Sequence, residues 1–220
     1  MSLERSDPNY IAVEGVIGAG KTSFTTLLAE QLGAEPLYEE VLENPFLVDF
    51  YKSRKRHAFS CQLFFLISRF QQQQQLVARD LFSQRIVSDY LFAKDSIFAS
   101  LNLSERELAL YDKIAPVLSQ NIPKPDLVIY LQASTPVLMS RIRKRSYSFE
   151  RSIDADYIEV INKAYDYYFF DYSETPLLVV KTDGIDFVNE SQHLDDLIGQ
   201  IRKPIIGKKY YAPAGELLHK

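Results

Sequence analysis

The chain has 220 residues, of which 46% are hydrophobic and 25% are charged, and its formal net charge is −4. These values are typical of one soluble globular domain, and the negative charge argues against a nucleic-acid polymer as a partner. No apolar run reaches the roughly 20 residues that a membrane-spanning helix needs, and the single cysteine, Cys61, excludes an internal disulfide. We therefore expect a cytoplasmic protein with no membrane partner, a disordered segment over residues 1–8 and one domain over residues 9–220.

Short apolar runs of β type alternate along the chain with longer helical patterns. We predict strands at Tyr10–Val13, Pro36–Glu39, Arg85–Ser88, Leu127–Leu131 and Leu177–Val180. Helical patterns lie near residues 23–32, 44–55, 57–83, 104–120, 135–145, 154–172 and 189–202. This alternation predicts a three-layer α/β fold, with a five-stranded parallel sheet covered by helices on both faces. Such sheets bind their ligands at the carboxyl ends of the strands.

A glycine-rich segment lies between the first predicted strand and the first helical pattern. It runs from Gly15 to Thr22 and fits the P-loop pattern G-x-x-x-x-G-K-S/T at every constrained position. In this motif backbone N–H groups surround a nucleoside triphosphate, the lysine reaches the β- and γ-phosphates, and the hydroxyl holds Mg²⁺. A chance glycine-rich turn is the alternative. The predicted phosphate-binding residues are Gly15, Gly18, Ala19, Gly20, Lys21, Thr22 and Ser23, of which Thr22 is also a predicted magnesium ligand.

Acidic residues end the second and third predicted strands. Glu39 and Glu40 would lie where the γ-phosphate projects, and a carboxylate there can orient an acceptor hydroxyl or bind Mg²⁺. Since neighbouring residues of a strand point to opposite faces, only one of the two should face the site. A solvated strand end is the alternative. Asp89 ends the run from Ile86, where P-loop enzymes commonly place the acid that holds magnesium, so Asp89 is the second predicted metal ligand.

Three arginines lie at the end of the predicted helix 135–145. Arg141 and Arg145 are one helical turn apart and share a face, whereas Arg143 lies between them. The pair can close over a phosphoryl group and neutralise the charge of its transition state, which predicts a lid near residues 141–153. A basic helix terminus that complements the helix dipole is the alternative.

Together these motifs resemble the deoxyribonucleoside kinase family, the P-loop enzymes that phosphorylate the 5′-hydroxyl of deoxynucleosides. The segment from Glu14 to Thr22 is similar to the family's E-G-x-I-G-x-G-K-S/T loop. Glu39-Glu40-Val41 stands where the family has an E-P-V-like stretch, which implies Glu39 as the general base and Glu40 as the fallback. The resemblance implies Glu39, Lys21, Arg141 and Arg145 as catalytic residues and Arg143 as a phosphate contact.

The resemblance extends to residues that would bind the nucleoside. Tyr51 stands eleven residues before Gln62, which is the family's spacing between the tyrosine on the sugar 3′-hydroxyl and the glutamine that reads the base. Arg69 and Asp95 match an arginine and an aspartate found in members that accept deoxyadenosine, deoxyguanosine or deoxycytidine. A structural ion pair between two helices is the alternative. Glu150 matches the carboxylate that contacts the 3′-hydroxyl.

One further match to the family is weaker, and the sequence departs from the family's pattern at two positions. Asp186 and Phe187 resemble the loop that packs against the adenine of ATP. The family usually has D/E-R-S after the third strand, with the arginine near the transferred phosphate, whereas this chain has a tyrosine at the second position, Tyr90. Tyr90 carries no positive charge, so either the lid arginines replace it or the phosphate geometry differs. Phe65 stands where relatives have small side chains, which should narrow or reshape the base pocket.

The resemblance implies a kinase that uses ATP and Mg²⁺ to phosphorylate a deoxynucleoside with a purine or cytosine base, deoxyadenosine being the first expectation. A thymidylate or other nucleoside-monophosphate kinase is the closest alternative. A protein that binds ATP only as a regulator is the second, and it would not require Tyr51, Gln62 and Glu150 at those spacings. The family also implies a homodimer. The apolar excess of helices 57–83 and 104–120 fits a dimer interface or core packing equally.

Overall fold

The computed structural model of the chain describes residues 8–78 and 84–213. All but Pro8 of the segment predicted to be disordered lies outside the described residues, as do residues 79–83 at the end of the predicted helix 57–83.

Among the described residues, six strands form one sheet in which every pairing is parallel. The strands are β1 (Tyr10–Glu14), β2 (Glu35–Leu37), β3 (Ile86–Ser88), β4 (Leu127–Gln132), β5 (Leu177–Lys181) and β6 (Lys208–Tyr211), in the order β2-β3-β1-β4-β5-β6. The predicted α/β class with a parallel sheet is confirmed. The predicted count of five strands was wrong, because β6 is a partly exposed edge strand and reads Lys-Lys-Tyr-Tyr rather than as an apolar run.

Helices flank this sheet. In the described part of the chain they are α1 (Lys21–Leu32), α2 (Leu47–Lys52), α3 (Arg54–Ala78), α4 (Lys94–Asn102), α5 (Glu105–Ser119), α6 (Thr135–Arg145), α7 (Ala155–Asp171) and α8 (Ser191–Ile201), with short 3-10 helices at Val41–Glu43 and Ser148–Ser152. The helix predicted near 44–55 is shorter, because Ser53 has a non-helical backbone and ends α2. Helix α4 was not predicted, since nine residues carry only a short periodic pattern. None of these helices is long and apolar enough to cross a membrane.

The central strands bring the glycine loop and Asp89 to one edge of the sheet. Ala12 of β1 pairs in register with Ser88 of β3 and with Val128 of β4. The glycine loop follows Glu14 at the end of β1, and Asp89 directly follows β3. Because the strands are parallel, their carboxyl ends meet at the edge where ligands bind in such folds.

Aromatic side chains hold α7 against β4. The rings of Tyr130 and Phe169 stack with centroids 4.3 Å apart, and the ring of Tyr165 lies 6.3 Å from that of Tyr130. Such pairs stabilise a core by about 0.5–1.5 kcal/mol beyond the area they bury. The packing places the Tyr165 hydroxyl 3.3 Å from Oε1 of Glu14, next to the glycine loop.

Buried glutamines hold α3 against the sheet. Gln73 donates from Nε2 to the hydroxyl oxygens of Tyr10 (3.2 Å) and Tyr90 (3.1 Å). Gln72 donates to the carbonyl oxygen of Tyr38 (3.0 Å). These bonds fix the orientation of the helix that carries Gln62, Phe65 and Arg69.

Candidate active site

A cavity of about 1070 Å³ lies at the carboxyl edge of the sheet, and this volume is at the upper end of the usual range for ligand pockets. The glycine loop, α2, α3, α6 and the loop after β5 all contribute to its lining. The predicted site residues that line it are Gly18, Gly20, Lys21, Thr22, Ser23, Glu39, Tyr51, Gln62, Arg69, Asp89, Arg141, Arg145, Glu150, Asp186 and Phe187. The structure does not place Gly15, Ala19, Asp95 or Arg143 in this lining.

Two positions of the glycine loop require glycine. Gly18 and Gly20 have φ angles of +87° and +97°, which disfavour any residue with a side chain. A Cβ on Gly18 would lie 2.8 Å from the carbonyl oxygen of Leu138, and one on Gly20 would lie 3.2 Å from the ring of Phe187. Gly20 directly precedes α1, so the first N–H groups and the positive end of the helix dipole are available to an anion.

Lys21 lies over the loop from which it projects. Its Nζ donates to the carbonyl oxygens of Gly15 (2.6 Å) and Val16 (3.3 Å). Burial, and after it the positive charge of Lys94, lower the pKa of Lys21 to about 8. A lysine whose charge is destabilised in this way favours an anionic ligand beside it.

Glu14 is a fully buried carboxylate that joins the loop to the segment after β3. Its Oε1 accepts from the N–H of Gly15 (2.9 Å), and its Oε2 accepts from the N–H of Leu91 (2.8 Å). These bonds fix the start of the glycine loop relative to the end of β3. No role for Glu14 was predicted, although the family's loop pattern begins with this glutamate.

Asp89 connects the glycine loop with the segment after β2. Its Oδ2 accepts from the Thr22 hydroxyl (2.7 Å), and its Oδ1 accepts from the N–H of Glu39 (2.7 Å). The two predicted magnesium ligands, Thr22 and Asp89, are therefore in direct contact.

Glu39 lies beyond the end of β2, because that strand stops at Leu37 rather than at Glu39 as predicted. Its Oε1 accepts from Nη2 of Arg69 (2.6 Å), and its Oε2 accepts from Nζ of Lys94 (2.8 Å). Burial favours the neutral acid, but the charges of Arg69 and Lys94 outweigh burial and lower the pKa of Glu39 to about 2. Glu39 is therefore anionic at neutral pH. The adjacent Glu40 has a different partner, the Ser68 hydroxyl at 3.0 Å.

Arg69 forms ion pairs with two acids, Glu39, which is predicted to contact the 5′-hydroxyl, and Asp95, which is predicted to lie beside the base. Besides Glu39 it pairs with Asp95, and the carbonyl oxygen of Asp95 accepts from Nε2 of Gln62 at 2.8 Å. The ring of Phe65 has its centroid 5.1 Å from the guanidinium carbon of Arg69. Burial opposes the positive charge, but the two carboxylates raise the pKa of Arg69. The predicted base-binding residues thus form one cluster; that they bind a base stays a prediction.

The residues predicted to bind the sugar also line the cavity. Glu150 is buried and forms an ion pair with Arg145. The ring of Tyr51 lies 5.9 Å from that of Phe149 and nearly parallel to it. Burial raises the pKa of Tyr51, so its hydroxyl stays protonated and can donate a hydrogen bond.

Arg141 is bound to backbone carbonyl groups in this structure. Its guanidinium donates to the carbonyl oxygens of Thr182 (2.7 Å), Ile185 (3.3 Å) and Ala19 (3.3 Å). The first turn of the predicted lid is therefore attached to the glycine loop and to the loop after β5.

The predicted phosphate contact from Arg143 is not supported by the structure. Arg143 is exposed and lies outside the cavity lining, whereas Lys144 lines the cavity. Residues i, i+3 and i+4 of a helix share a face, so Arg141, Lys144 and Arg145 face the cavity together and Arg143 does not.

The predicted adenine loop lies next to the glycine loop. Oδ1 of Asp186 accepts from the N–H groups of Val188 (3.1 Å) and Asn189 (2.9 Å), which closes a turn. Phe187 is buried, and its ring centroid lies 5.1 Å from that of Phe24 in α1. Contact with adenine stays a prediction.

A P-loop at the carboxyl edge of a parallel sheet, with a carboxylate held by buried cations beside it, defines a phosphotransferase of the P-loop class. The model of the deoxynucleoside kinase family matches residues 11–206, and the chain belongs to that family. It is therefore an enzyme, a nucleotide-binding kinase, and the family predicted from the sequence is confirmed.

Named relatives agree with this assignment. The chain is 34% identical over 202 residues to a deoxyguanosine kinase of Bacillus subtilis, covering 90% of this chain and 98% of the relative. It is 35% identical over 188 residues to a deoxyadenosine kinase of Dictyostelium discoideum, covering 83% and 75%. A solved structure of deoxyadenosine kinase from M. mycoides with bound dATP superposes with a TM-score of 0.77 at 28% identity, covering 88% and 99%. These matches favour neither the monophosphate kinase nor the regulator.

We expect Gly18→Ala to weaken ATP binding by about tenfold or more, because the new Cβ meets a carbonyl oxygen and the positive φ disfavours alanine. Gly199→Ala in α8 is the matched control, since a Cβ there meets nothing within 4 Å. Titration calorimetry with ATP measures both affinities, and equal affinity in the two variants would contradict the prediction.

We expect the stability difference between the wild type and Glu39→Gln to depend on pH. The pKa of Glu39 is about 2 in the folded protein, below its usual value of 4.5, so its charge stabilises the fold above pH 4.5. That contribution shrinks as the pH falls from 4.5 and is lost as the pH passes through 2, below which the acid is protonated and neutral like glutamine. Urea unfolding of both proteins between pH 7 and pH 2 measures the gap, and a constant gap would contradict the assigned pKa.

Proposed function

We propose that the enzyme transfers the γ-phosphoryl group of ATP to the 5′-hydroxyl of a deoxynucleoside. The observation that carries the proposal is the pair of hydrogen bonds to Asp89. One carboxylate accepts both from Thr22 of the phosphate-binding loop and from the backbone of Glu39. A phosphate-binding group and an acceptor-orienting carboxylate are thereby held next to one another, as an in-line transfer requires.

Glu39 orients the acceptor in this proposal. A carboxylate with a pKa of about 2 is a weak base, so it accepts a hydrogen bond from the 5′-hydroxyl and takes its proton only as the new P–O bond forms. A loose phosphoryl-transfer transition state makes little demand for early deprotonation. The catalysis by this chain's residues is therefore mainly positioning and electrostatic stabilisation.

The cofactor that the family implies is Mg²⁺, and the residues present fit it. Thr22 and Asp89 offer a hydroxyl and a carboxylate, the hard oxygen donors that Mg²⁺ prefers. Over residues 8–78 and 84–213 no group of three or more His, Cys, Asp or Glu could hold a metal ion, which suits an ion that keeps water and phosphate ligands. Bound there, Mg²⁺ would neutralise charge on the β- and γ-phosphate oxygens.

The acceptor end of the cavity supports a base with an exocyclic amino group. Gln62 donates one N–H of its Nε2 to the carbonyl oxygen of Asp95, which leaves the second N–H and the acceptor Oε1 for a base. On the Watson–Crick edge, adenine and cytosine offer such an amino group beside a ring acceptor, which an N–H of Arg69 can bind, whereas the amino group of guanine lies beside a ring N–H. Tyr51 and Glu150 would hold the 3′-hydroxyl. Deoxyadenosine is our first choice, and deoxyguanosine, named in the Bacillus subtilis relative, is the second.

On the donor side, Lys21 and the N–H groups of the glycine loop would bind the phosphates. Phe187 and Asp186 would lie against the adenine, and Lys144 and Arg145 on the cavity face of α6 would approach the phosphates when the lid closes. Arg141 would have to leave its carbonyl partners to join them. We place the enzyme in the cytoplasm, which the buried free thiol of Cys61 supports.

A substrate panel tests the proposal. We expect ATP-dependent phosphorylation with the highest kcat/KM for deoxyadenosine, and the Gln62 acceptor should place deoxyguanosine and thymidine below both deoxyadenosine and deoxycytidine. Mass spectrometry of the products identifies the 5′-monophosphate. Turnover of dTMP alone would overturn the proposal. A preference for deoxyguanosine would contradict only the proposed hydrogen bond from the base to Oε1 of Gln62.

The roles of the adjacent acids are tested by a pair of variants. We expect Glu39→Gln to lower kcat by about 100-fold or more while ATP binding is retained, since only the group that orients the acceptor changes. Glu40→Gln is the matched control, because Glu40 bonds to Ser68 instead, and it should keep kcat within about threefold. The reverse pattern would assign the role to Glu40.

The homodimer is also a proposal. Core packing accounts for Leu66 and Tyr111, but Val160, Tyr167 and Phe170 on one face of α7 stay 50%, 73% and 73% exposed. Light scattering should give about twice the chain mass of 25.3 kDa, and Tyr167→Asp should lower it to that of a monomer, because a buried charge disrupts an apolar interface. Ile206→Asp, at a residue 81% exposed elsewhere, is the control. A monomeric wild type would contradict the proposal.

A further inference from the structure

Lys94 is a buried lysine at the first position of α4, and no role was predicted for it. Its side chain is 4% exposed, and it lines the cavity. Nζ lies 2.8 Å from Oε2 of Glu39, the carboxylate proposed to orient the acceptor hydroxyl. The residue is therefore placed at the reacting end of the acceptor site.

This position is unfavourable for a lysine that only stabilises the fold. The positive end of the α4 dipole repels a cation, and burial penalises its charge. The compensating carboxylate of Glu39 is shared with Arg69. An ammonium group has three N–H donors, and among the described residues Glu39 is the one partner that Lys94 has. Two donors of a buried cation are thus left for a ligand in the cavity.

The neighbours of Lys94 place it beside the phosphates. It bonds to Glu39, whose N–H donates to Asp89, which in turn accepts from Thr22 of the glycine loop. The positive charge of Lys94 is also felt by Lys21, the lysine expected to reach the γ-phosphate. Two cations that repel each other across a cavity create a site for an anion between them.

Tyr90, which stands where the family has its arginine, cannot take this role. Its side chain is fully buried, and its hydroxyl accepts from Gln73 of α3 outside the cavity lining. Lys94 lies four residues later, at the start of α4, and presents a positive charge to the cavity instead.

We propose that Lys94 is a catalytic residue that donates hydrogen bonds to the non-bridging oxygens of the phosphoryl group during its transfer. The inference rests on the proposed function. The bond between the γ-phosphorus and the ADP oxygen breaks, the bond to the 5′-oxygen forms, and the hydroxyl proton goes to Glu39. Lys94 exchanges no proton in this step and stabilises charge on the moving group.

Lys94→Met tests the proposal because it removes the charge and keeps the length of the side chain. We expect kcat to fall by about 100-fold or more, with the KM for ATP and for deoxyadenosine changing by less than about threefold. Lys94→Arg should recover at least tenfold of that loss, because it restores the charge. Lys124→Met, at a lysine 68% exposed in the segment before β4, is the control and should keep the wild-type kcat.

A binding measurement separates catalysis from folding. In the presence of deoxyadenosine, the complex of ADP with aluminium fluoride imitates the transferring phosphoryl group. Its affinity should fall in Lys94→Met by a factor similar to that of kcat, while ATP affinity and the melting temperature stay close to those of the wild type. If the methionine variant does not fold, Lys94→Gln and Lys94→Arg are compared with this same complex.

Three results would overturn the inference. They are a kcat of Lys94→Met within threefold of the wild type, a loss confined to the KM for the nucleoside, and unchanged affinity for the ADP–aluminium fluoride complex. The second would mean that Lys94 contributes only to the binding of the nucleoside. A wild type that phosphorylates no deoxynucleoside would instead refute the proposed function, so the two failures are distinguishable.

Discussion

The site depends on the carboxylate of Asp89, because its two oxygens contact both the phosphate-binding loop and the segment that carries Glu39. Its position is itself fixed by the sheet: β3 pairs with β1 over three residues, so the end of β3 cannot move relative to the start of the glycine loop. The buried Glu14 makes a second connection between the glycine loop and the segment after β3, because it accepts from the N–H groups of Gly15 and Leu91. The distance between donor and acceptor is thereby set by the backbone of two neighbouring strands.

Several charged side chains are buried next to Asp89, although protein cores usually exclude charged groups. Arg69 from α3, Lys94 and Asp95 from α4, and Glu39 from the segment after β2 are all largely buried. Removing such ions from water costs several kcal/mol each, and their attraction recovers that cost only with good geometry. The cluster therefore contributes less to the stability of the fold than to its specificity, since it holds two helices and one loop in a single arrangement. These side chains are largely shielded from solvent, so their charges act strongly on a substrate.

The parts of this site that follow from local sequence were predicted, and the parts that depend on three-dimensional packing were not. The loop from Gly15 to Thr22 is a contiguous motif, and Asp89 follows a short apolar strand, so both are visible in the sequence. Lys94 was missed because its partner Glu39 lies 55 residues away and its helix is short. Arg143 lies outside the cavity lining, which its charge could not reveal because charge alone does not fix the phase of a helix. The edge strand β6 was missed because an exposed strand needs no apolar run.

The C-terminal half of helix α6 makes two contacts that lie beside the two proposed substrate sites. Its residue Arg141 bonds to carbonyl groups of the glycine loop and of the loop expected to hold adenine, whereas Arg145, one turn later, pairs with Glu150 on the sugar side. A nucleotide that displaces Arg141 from these carbonyl groups and a nucleoside that displaces Arg145 from Glu150 would both act on the same helix. Their binding free energies are then linked, and the linkage is reciprocal. Under the proposed function, the helix would link the two sites, so that occupancy of either one changes the affinity of the other.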